Sequence, residues 1–196
     1  MTRPAILVTI LAAAALCAPK ASAGDDVALK TNLIYDATLS PDLAIEFGLA
    51  PKWSLDIDAH VNAWTVSGHR WRHWMVMPEA RYWLCSRFAG HFFGLHVFGG
   101  QFNVGNMKDS WSWVMGQFKD LSTHRYQGWM GGAGLAYGYS WVLGKHWNLE
   151  AELGVGWAYT KSDVYPCADC GDIQQKGKVH NYFGLTKTAL SIVYIF

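Results

Sequence analysis

Residues 147–160 read WNLEAELGVGWAYT, and apolar side chains fall at every second position. Trp147, Leu149, Ala151, Leu153, Val155, Trp157 and Tyr159 share one face of an extended strand. Asn148, Glu150, Glu152, Gly154, Gly156, Ala158 and Thr160 share the other. A period of two is the pleat of a β-strand, because successive side chains point to opposite sides. A soluble sandwich would turn the apolar face inward and send rows of glycine to solvent. A barrel in lipid would do the reverse, with tryptophan and tyrosine resting near the two ends of the apolar band. The second arrangement suits this stretch better.

The same alternation recurs in 27–37, 42–50, 53–63, 74–84, 91–103, 129–142 and 182–196, giving eight segments with 146–160. Most are long enough to cross a bilayer at barrel tilt. The expected fold is therefore all-β: an eight-stranded antiparallel up-and-down transmembrane β-barrel. Links "APK", "CSRFAG" and "LGKH" mark a short-turn end. At the other end, a tight link near Ser40–Pro41 is followed by long ones at 64–73, 104–128 and 161–181. Outer-membrane barrels show this asymmetry. Trp53, Tyr82, Trp141, Trp147, Tyr194 and Phe196 would form one aromatic belt, and Tyr35, Trp74, Trp129, Trp157 and Tyr159 the other. Pro78 interrupts a strand, and a bulge is expected there because proline donates no ladder hydrogen bond.

The chain begins with Arg3, the apolar run AILVTILAAAALCA and the small-residue pattern ASAG. This reads as a signal peptide over 1–23, with the barrel occupying 24–196 and the outer membrane of a Gram-negative bacterium as destination. Removing Arg3 and Lys20 leaves 14 Lys+Arg against 15 Asp+Glu, a balance that argues against nucleic acid as a partner. Cys85, Cys167 and Cys170 then remain; "CADC" (167–170) lies in the last long link and reads as a loop disulfide. No second cysteine pair completes a metal site, so no metal or cofactor is expected.

The inward faces carry Glu46, Asp56, Asp58, Glu79, Glu150 and Glu152 with Lys30, Arg81 and Lys187. An eight-stranded barrel has room for little beyond its own side chains. These charges are expected to pair as a network that plugs the interior, since an isolated buried charge is very costly. "PKWSLDID" (51–58) and "KHWNLEAE" (145–152) repeat one pattern in the third and seventh strands, which face each other across the barrel.

KTNLIYDATLSPDLAIEFGLAPKWSLDID (30–58), RHWMVMPEARYWLCSRFAGHFFGLHVFGGQFNVGN (72–106) and the closing ALSIVYIF (189–196) resemble an uncharacterised family of Bacteroidales outer-membrane proteins, a domain of unknown function. The resemblance implies a barrel. It also implies a role near fimbria assembly, since such proteins are often encoded beside fimbria-assembly genes. ALSIVYIF is similar to the terminal signal read by the barrel-assembly machinery, which would be a partner during biogenesis. The family brings no catalytic residues.

Aromatics and arginine carry contact energy at interfaces. Trp71 and Arg72 in the second long link, and Trp111, Trp113 and Phe118 in the third, are therefore the candidate partner-binding residues. The expected role is structural or docking, with a surface protein or fimbrial component as partner and outer-membrane lipid as surroundings. Two alternatives are a lipid A-modifying hydrolase using Ser122 and His124 beside Asp120, and a narrow channel sensitive to Arg81 or Glu152.

Overall fold

The computed structural model describes residues 27–66, 69–106, 121–167 and 169–196. Residues 1–26, and with them the expected signal peptide, lie outside this set, as do Trp111, Trp113, Phe118 and Asp120. Eight strands alternate in direction: β1 (Val27–Asn32), β2 (Asp42–Ala50), β3 (Trp53–Asn62), β4 (His69–Trp83), β5 (Gly90–Gly105), β6 (Arg125–Val142), β7 (Trp147–Tyr165) and β8 (Gln175–Ile195). Each pairs with its neighbour in sequence. The sheet closes because β1 also pairs with β8, from Ala28↔Ile195 to Asn32↔Ser191. A two-residue ribbon, Thr65–Val66, folds back on Arg70 and His69. Closure pairs the ring at its short-turn end, whereas β8 meets β1 only over Ser191–Ile195, so its Gln175–Leu190 stretch has no β1 partner on that side.

Polarity is inverted relative to a water-soluble barrel. Leu95, Leu135, Leu153, Leu185 and Phe183 face outward, the last 80 % exposed. Glu46, Glu79, Arg81, His96 and Glu150 are buried in the lumen at 2 % exposure or less. Along β7 the two outward tryptophans, Trp147 and Trp157, stand about ten residues apart. At about 3.3 Å per residue and a tilt of about 40°, they bracket an apolar band roughly 25 Å tall.

Three sequence expectations are corrected. The first segment stops being a strand at Asn32, and Leu33–Ala37 forms a helical turn, α1. The Asn32 side chain accepts from Ile34 N and nucleates that turn, while Leu39 (φ 58°) reverses the chain into β2. Tyr35 consequently packs against His60 inside the ring, with centroids 4.4 Å apart and the rings tilted by 37°, instead of joining the outer belt. Pro78 makes no bulge: it pairs with Ile57, and β4 keeps one offset against β5 on both sides of it. The irregularities fall at Gly48/Ala50, at Gly154/Val155 (where Thr186 is the extra residue of β8) and at Ser162/Val164.

The strands are also unequal. β1, β2 and β3 have 6, 9 and 10 residues, whereas β6, β7 and β8 have 18, 19 and 21. Much of the sequence assigned to long links is thus strand. Residues 69–73, 125–128, 161–165 and 175–181 extend the sheet at the long-loop end into a one-sided crown.

Candidate functional site

The lumen is filled in layers. At the short-turn end Trp83, Phe88, Phe92, Val193 and Ile195 pack with Ala28 as an apolar floor. Phe88 comes from the tight β4–β5 link, at φ 61°, and its carbonyl accepts from Asn148 Nδ2 (2.6 Å) and Ser140 Oγ (3.2 Å). Trp83 Nε1 donates to Ser54 Oγ at 2.8 Å, so the polar edge of the floor is satisfied.

Above it, Arg81 presents its guanidinium to five carboxylates. Nε donates to Glu79 at 2.6 Å; Nη1 donates to Glu46 at 3.0 Å and Glu150 at 2.8 Å; Nη2 donates to Glu152 at 2.7 Å and lies 3.0 Å from Asp56. Four N–H···O bonds and a fifth ion contact radiate from one planar group, more than the three donors of an ammonium could supply. The Phe92 ring closes its underside, 4.5 Å from centroid to Cζ. Lys30 contacts Glu46, Glu150 (3.3 Å) and Asp56 (3.5 Å); Lys187 contacts Glu79 and Glu152, each at 3.0 Å. Eight of the nine charged residues singled out from the sequence thus meet in one cluster. The ninth, Asp58, sits one layer higher, 3.6 Å from His60 Nδ1. The repeated WxLxx segments explain part of this. β3 delivers Asp56 and β7 delivers Glu150 and Glu152 to the same arginine from opposite walls.

Above the cluster lie Asn32, Asp42, Asp58, His60 and Asn62, joined by Tyr35 from α1. Asn62 Nδ2 donates to Leu39 O (3.0 Å) and Ser40 Oγ (3.2 Å), and Asn32 Nδ2 donates to Thr188 O (3.1 Å). Burial, then the nearby Asp58 carboxylate, pushes the Tyr35 phenol up to about 12, so it stays protonated. The space left between this layer and the charge cluster, lined by Asn32, Asp42, Asp58, Lys30, Arg81 and Lys187, is about 10 Å³, room for a single water. A second apolar cluster, Phe102, Val104, Leu121, Tyr126 and Val164, fills the inside of the crown.

Trp71 packs against that upper cluster, so its indole faces into the crown. Arg72 faces outward. Arg70 Nη2 donates to Asp169 at 2.8 Å and ties β4 to the last loop. In that loop Cys167 and Cys170 form a disulfide, and Arg125 Nη2 donates to Cys170 O at 2.9 Å. Ser122 is exposed, and His124 Nδ1 pairs with Thr123 Oγ1 at 2.8 Å. Among the described residues, no His, Cys, Asp or Glu set is grouped to hold a metal. Sequence reading passed over Asn32, Asp42, His60, His96 and Asn148, although strand parity places each of them inside. Four of them carry no fixed charge at neutral pH, and the acid among them, Asp42, stands at the first position of its strand beside the Ser40–Pro41 link.

The family model for a protein of unknown function, DUF3575, matches residues 6–196, and the chain belongs to that family. No curated protein matches it.

Proposed function

We propose that this member of the DUF3575 family is an outer-membrane β-barrel that serves as a plugged anchor and docks a surface component on its one-sided crown. The observation that carries this reading is the inequality of the strands. β7 and β8 continue about eight residues past Trp157 and Phe183, roughly 26 Å along each strand, while β1–β3 stop near the belt. A wall built this far beyond the apolar band, with its own apolar core, presents a rigid surface outside the lipid. The filled lumen speaks against a conducting role, and in the Ser122–His124 stretch the imidazole pairs with the neighbouring Thr123 hydroxyl instead of with Ser122. Export through the 1–23 signal and a fimbrial or other surface-assembly partner complete the reading, the latter resting on the family resemblance.

The test is cross-linking in native outer membranes followed by affinity capture. A surface protein should co-purify with the wild-type chain and be lost from Trp111→Ala/Trp113→Ala/Phe118→Ala and from Arg70→Ala, while each variant still shows the heat-dependent gel shift of a folded barrel. An identical capture profile from wild type and variants would overturn the docking role.

A further inference from the structure

The outer wall of β4–β7 carries a feature that neither the lumen nor the crown explains. In strand register, Arg72, Asn103, Gln127 and Asp163 form one outward row on four adjacent strands. The row beneath it is Trp74, Gln101, Trp129 and Lys161. Beneath that comes Val76, Gly99, Gly131 and Tyr159. With strands about 4.8 Å apart, each row is roughly 14 Å wide. The upper two rows line a groove of about 570 Å³ through Arg72, Trp74, Asn103, Gln127, Trp129 and Asp163, while Lys161 and the Gly99–Gly131 row border it from outside its lining.

Each row has its own chemistry. Among the described residues neither Arg72 nor Lys161 is engaged in an ion pair, and they stand at opposite ends of the patch. Asn103 donates to Gln127 Oε1 at 3.4 Å, yet its own Oδ1 is buried with no donor. Asp163 Oδ1 is held by Gly177 N at 2.7 Å. Trp74 Nε1 donates to Gln101 Oε1 at 3.4 Å, so the indole lies along the boundary between amide and apolar surface.

Gly99 and Gly131 pair with each other and leave a notch under the tryptophans. Internal packing does not demand glycine at either place. A Cβ on Gly99 would approach nothing closer than 4.0 Å, and one on Gly131 nothing closer than 3.4 Å. Inward glycines differ: at Gly134 a Cβ would come within 2.6 Å of both His96 Nε2 and the Val155 carbonyl.

We propose that this outer wall is a binding site for a phosphorylated glycolipid of the outer leaflet. Arg72 and Lys161 take phosphates at the two ends of a sugar headgroup. The exposed Gln127 amide and the Asp163 carboxylate hydrogen-bond its hydroxyls, and the Gly99–Gly131 notch receives an acyl chain between Trp74, Trp129 and Tyr159. The height of the patch fits this occupant, because Trp74 and Trp129 belong to the upper aromatic belt, where headgroup and acyl region meet. Two separated cations with amides between them match a bisphosphorylated disaccharide better than a single-phosphate lipid. The site rests on the outer-membrane reading above.

Native mass spectrometry of the purified full chain in detergent, with bisphosphorylated lipid A or its dephosphorylated counterpart added, tests the site. Wild type should retain the bisphosphorylated form at least about tenfold more. Arg72→Gln/Lys161→Gln should retain both forms equally. Gly99→Leu/Gly131→Leu should lower retention of both. Lys176→Gln/Lys178→Gln, an equal charge loss in the crown, should behave as wild type.

Equal retention of the two lipids by wild type would overturn the proposal. So would a loss of selectivity in the crown control, or undiminished retention by Arg72→Gln/Lys161→Gln. Lipid retained only after deletion of residues 107–120 would show that the chain's own segment occupies the groove, and would likewise overturn it. The gel shift confirms folding of each variant. Absence of the protein from the outer-membrane fraction would refute the membrane reading itself, separately from any lipid result.

Discussion

Arg81→Met removes the one side chain that reaches five lumen carboxylates while keeping an unbranched apolar stem of similar length. The five contacts run from 2.6 to 3.0 Å, and Arg81 itself is 1 % exposed, so no solvent replaces the lost cation. Removing one partner of a buried ion pair costs about 3–5 kcal/mol, because the other charge stays buried and uncompensated. Lys30 and Lys187 remain in contact with the same acids, which keeps the figure within that range instead of multiplying it by five. Urea unfolding in lipid vesicles, followed by tryptophan fluorescence, measures the loss. At about 2 kcal/mol per M, the midpoint should fall by about 2 M. Glu152→Gln supplies the second arm. Five carboxylates face three cations in this cluster, and Glu152 Oε1 has no hydrogen-bond partner among the described residues. Neutralising Glu152 should therefore cost less in the Arg81→Met background than in wild type, with a coupling of about 1–3 kcal/mol. An Arg81→Met midpoint within about 0.5 kcal/mol of wild type, or strict additivity of the two changes, would refute a plug built on this arginine.

Glycines on the two sides of the wall should respond differently to alanine. At Gly138 a Cβ would meet Phe92 Cε1 at 2.6 Å, so Gly138→Ala should lower stability by about 1–3 kcal/mol in the same urea assay, whereas Gly131→Ala, open to the outside, should stay within about 0.5 kcal/mol. Equal effects would mean that the inner and outer faces are misassigned. The Cys167–Cys170 bridge closes a very short loop, worth at most about 2 kcal/mol by chain entropy. Cys167→Ser/Cys170→Ser should speed proteolysis between residues 165 and 175 and leave the folded gel band intact; loss of that band would contradict a purely local role.

Strand parity made the ring legible in the sequence. Each segment with apolar residues at alternate positions contains a strand, the first only as far as Asn32, and each strand acid on the opposite parity between Glu46 and Glu152 lies in the lumen. Three kinds of feature escaped for distinct physical reasons. The crown is polar on both faces in stretches such as 161–163 (Lys161, Ser162, Asp163), so no contrast marks it as strand. Trp71 sits inside it because a second apolar cluster exists there, a fact set by pairing across β4–β8 and invisible in local composition. The helical turn at 33–37 depends on one side-chain cap at Asn32, which competes with the strand pattern carried by the same residues. Phe88 gives the same lesson at the other end, since a short link read as a turn also supplies the floor of the lumen.

Spin labels placed singly at residues 153–158, in protein purified from outer membranes and returned to lipid vesicles, test the central claim most directly. Leu153, Val155 and Trp157 face outward on β7, and Gly154, Gly156 and Ala158 face the lumen. Collision with dissolved oxygen should be high at 153, 155 and 157 and low at the alternate positions, while a water-soluble nickel complex should reach none of the three outward sites. Free access of the nickel complex to 153, 155 and 157 would place this wall in water and contradict the membrane-spanning barrel.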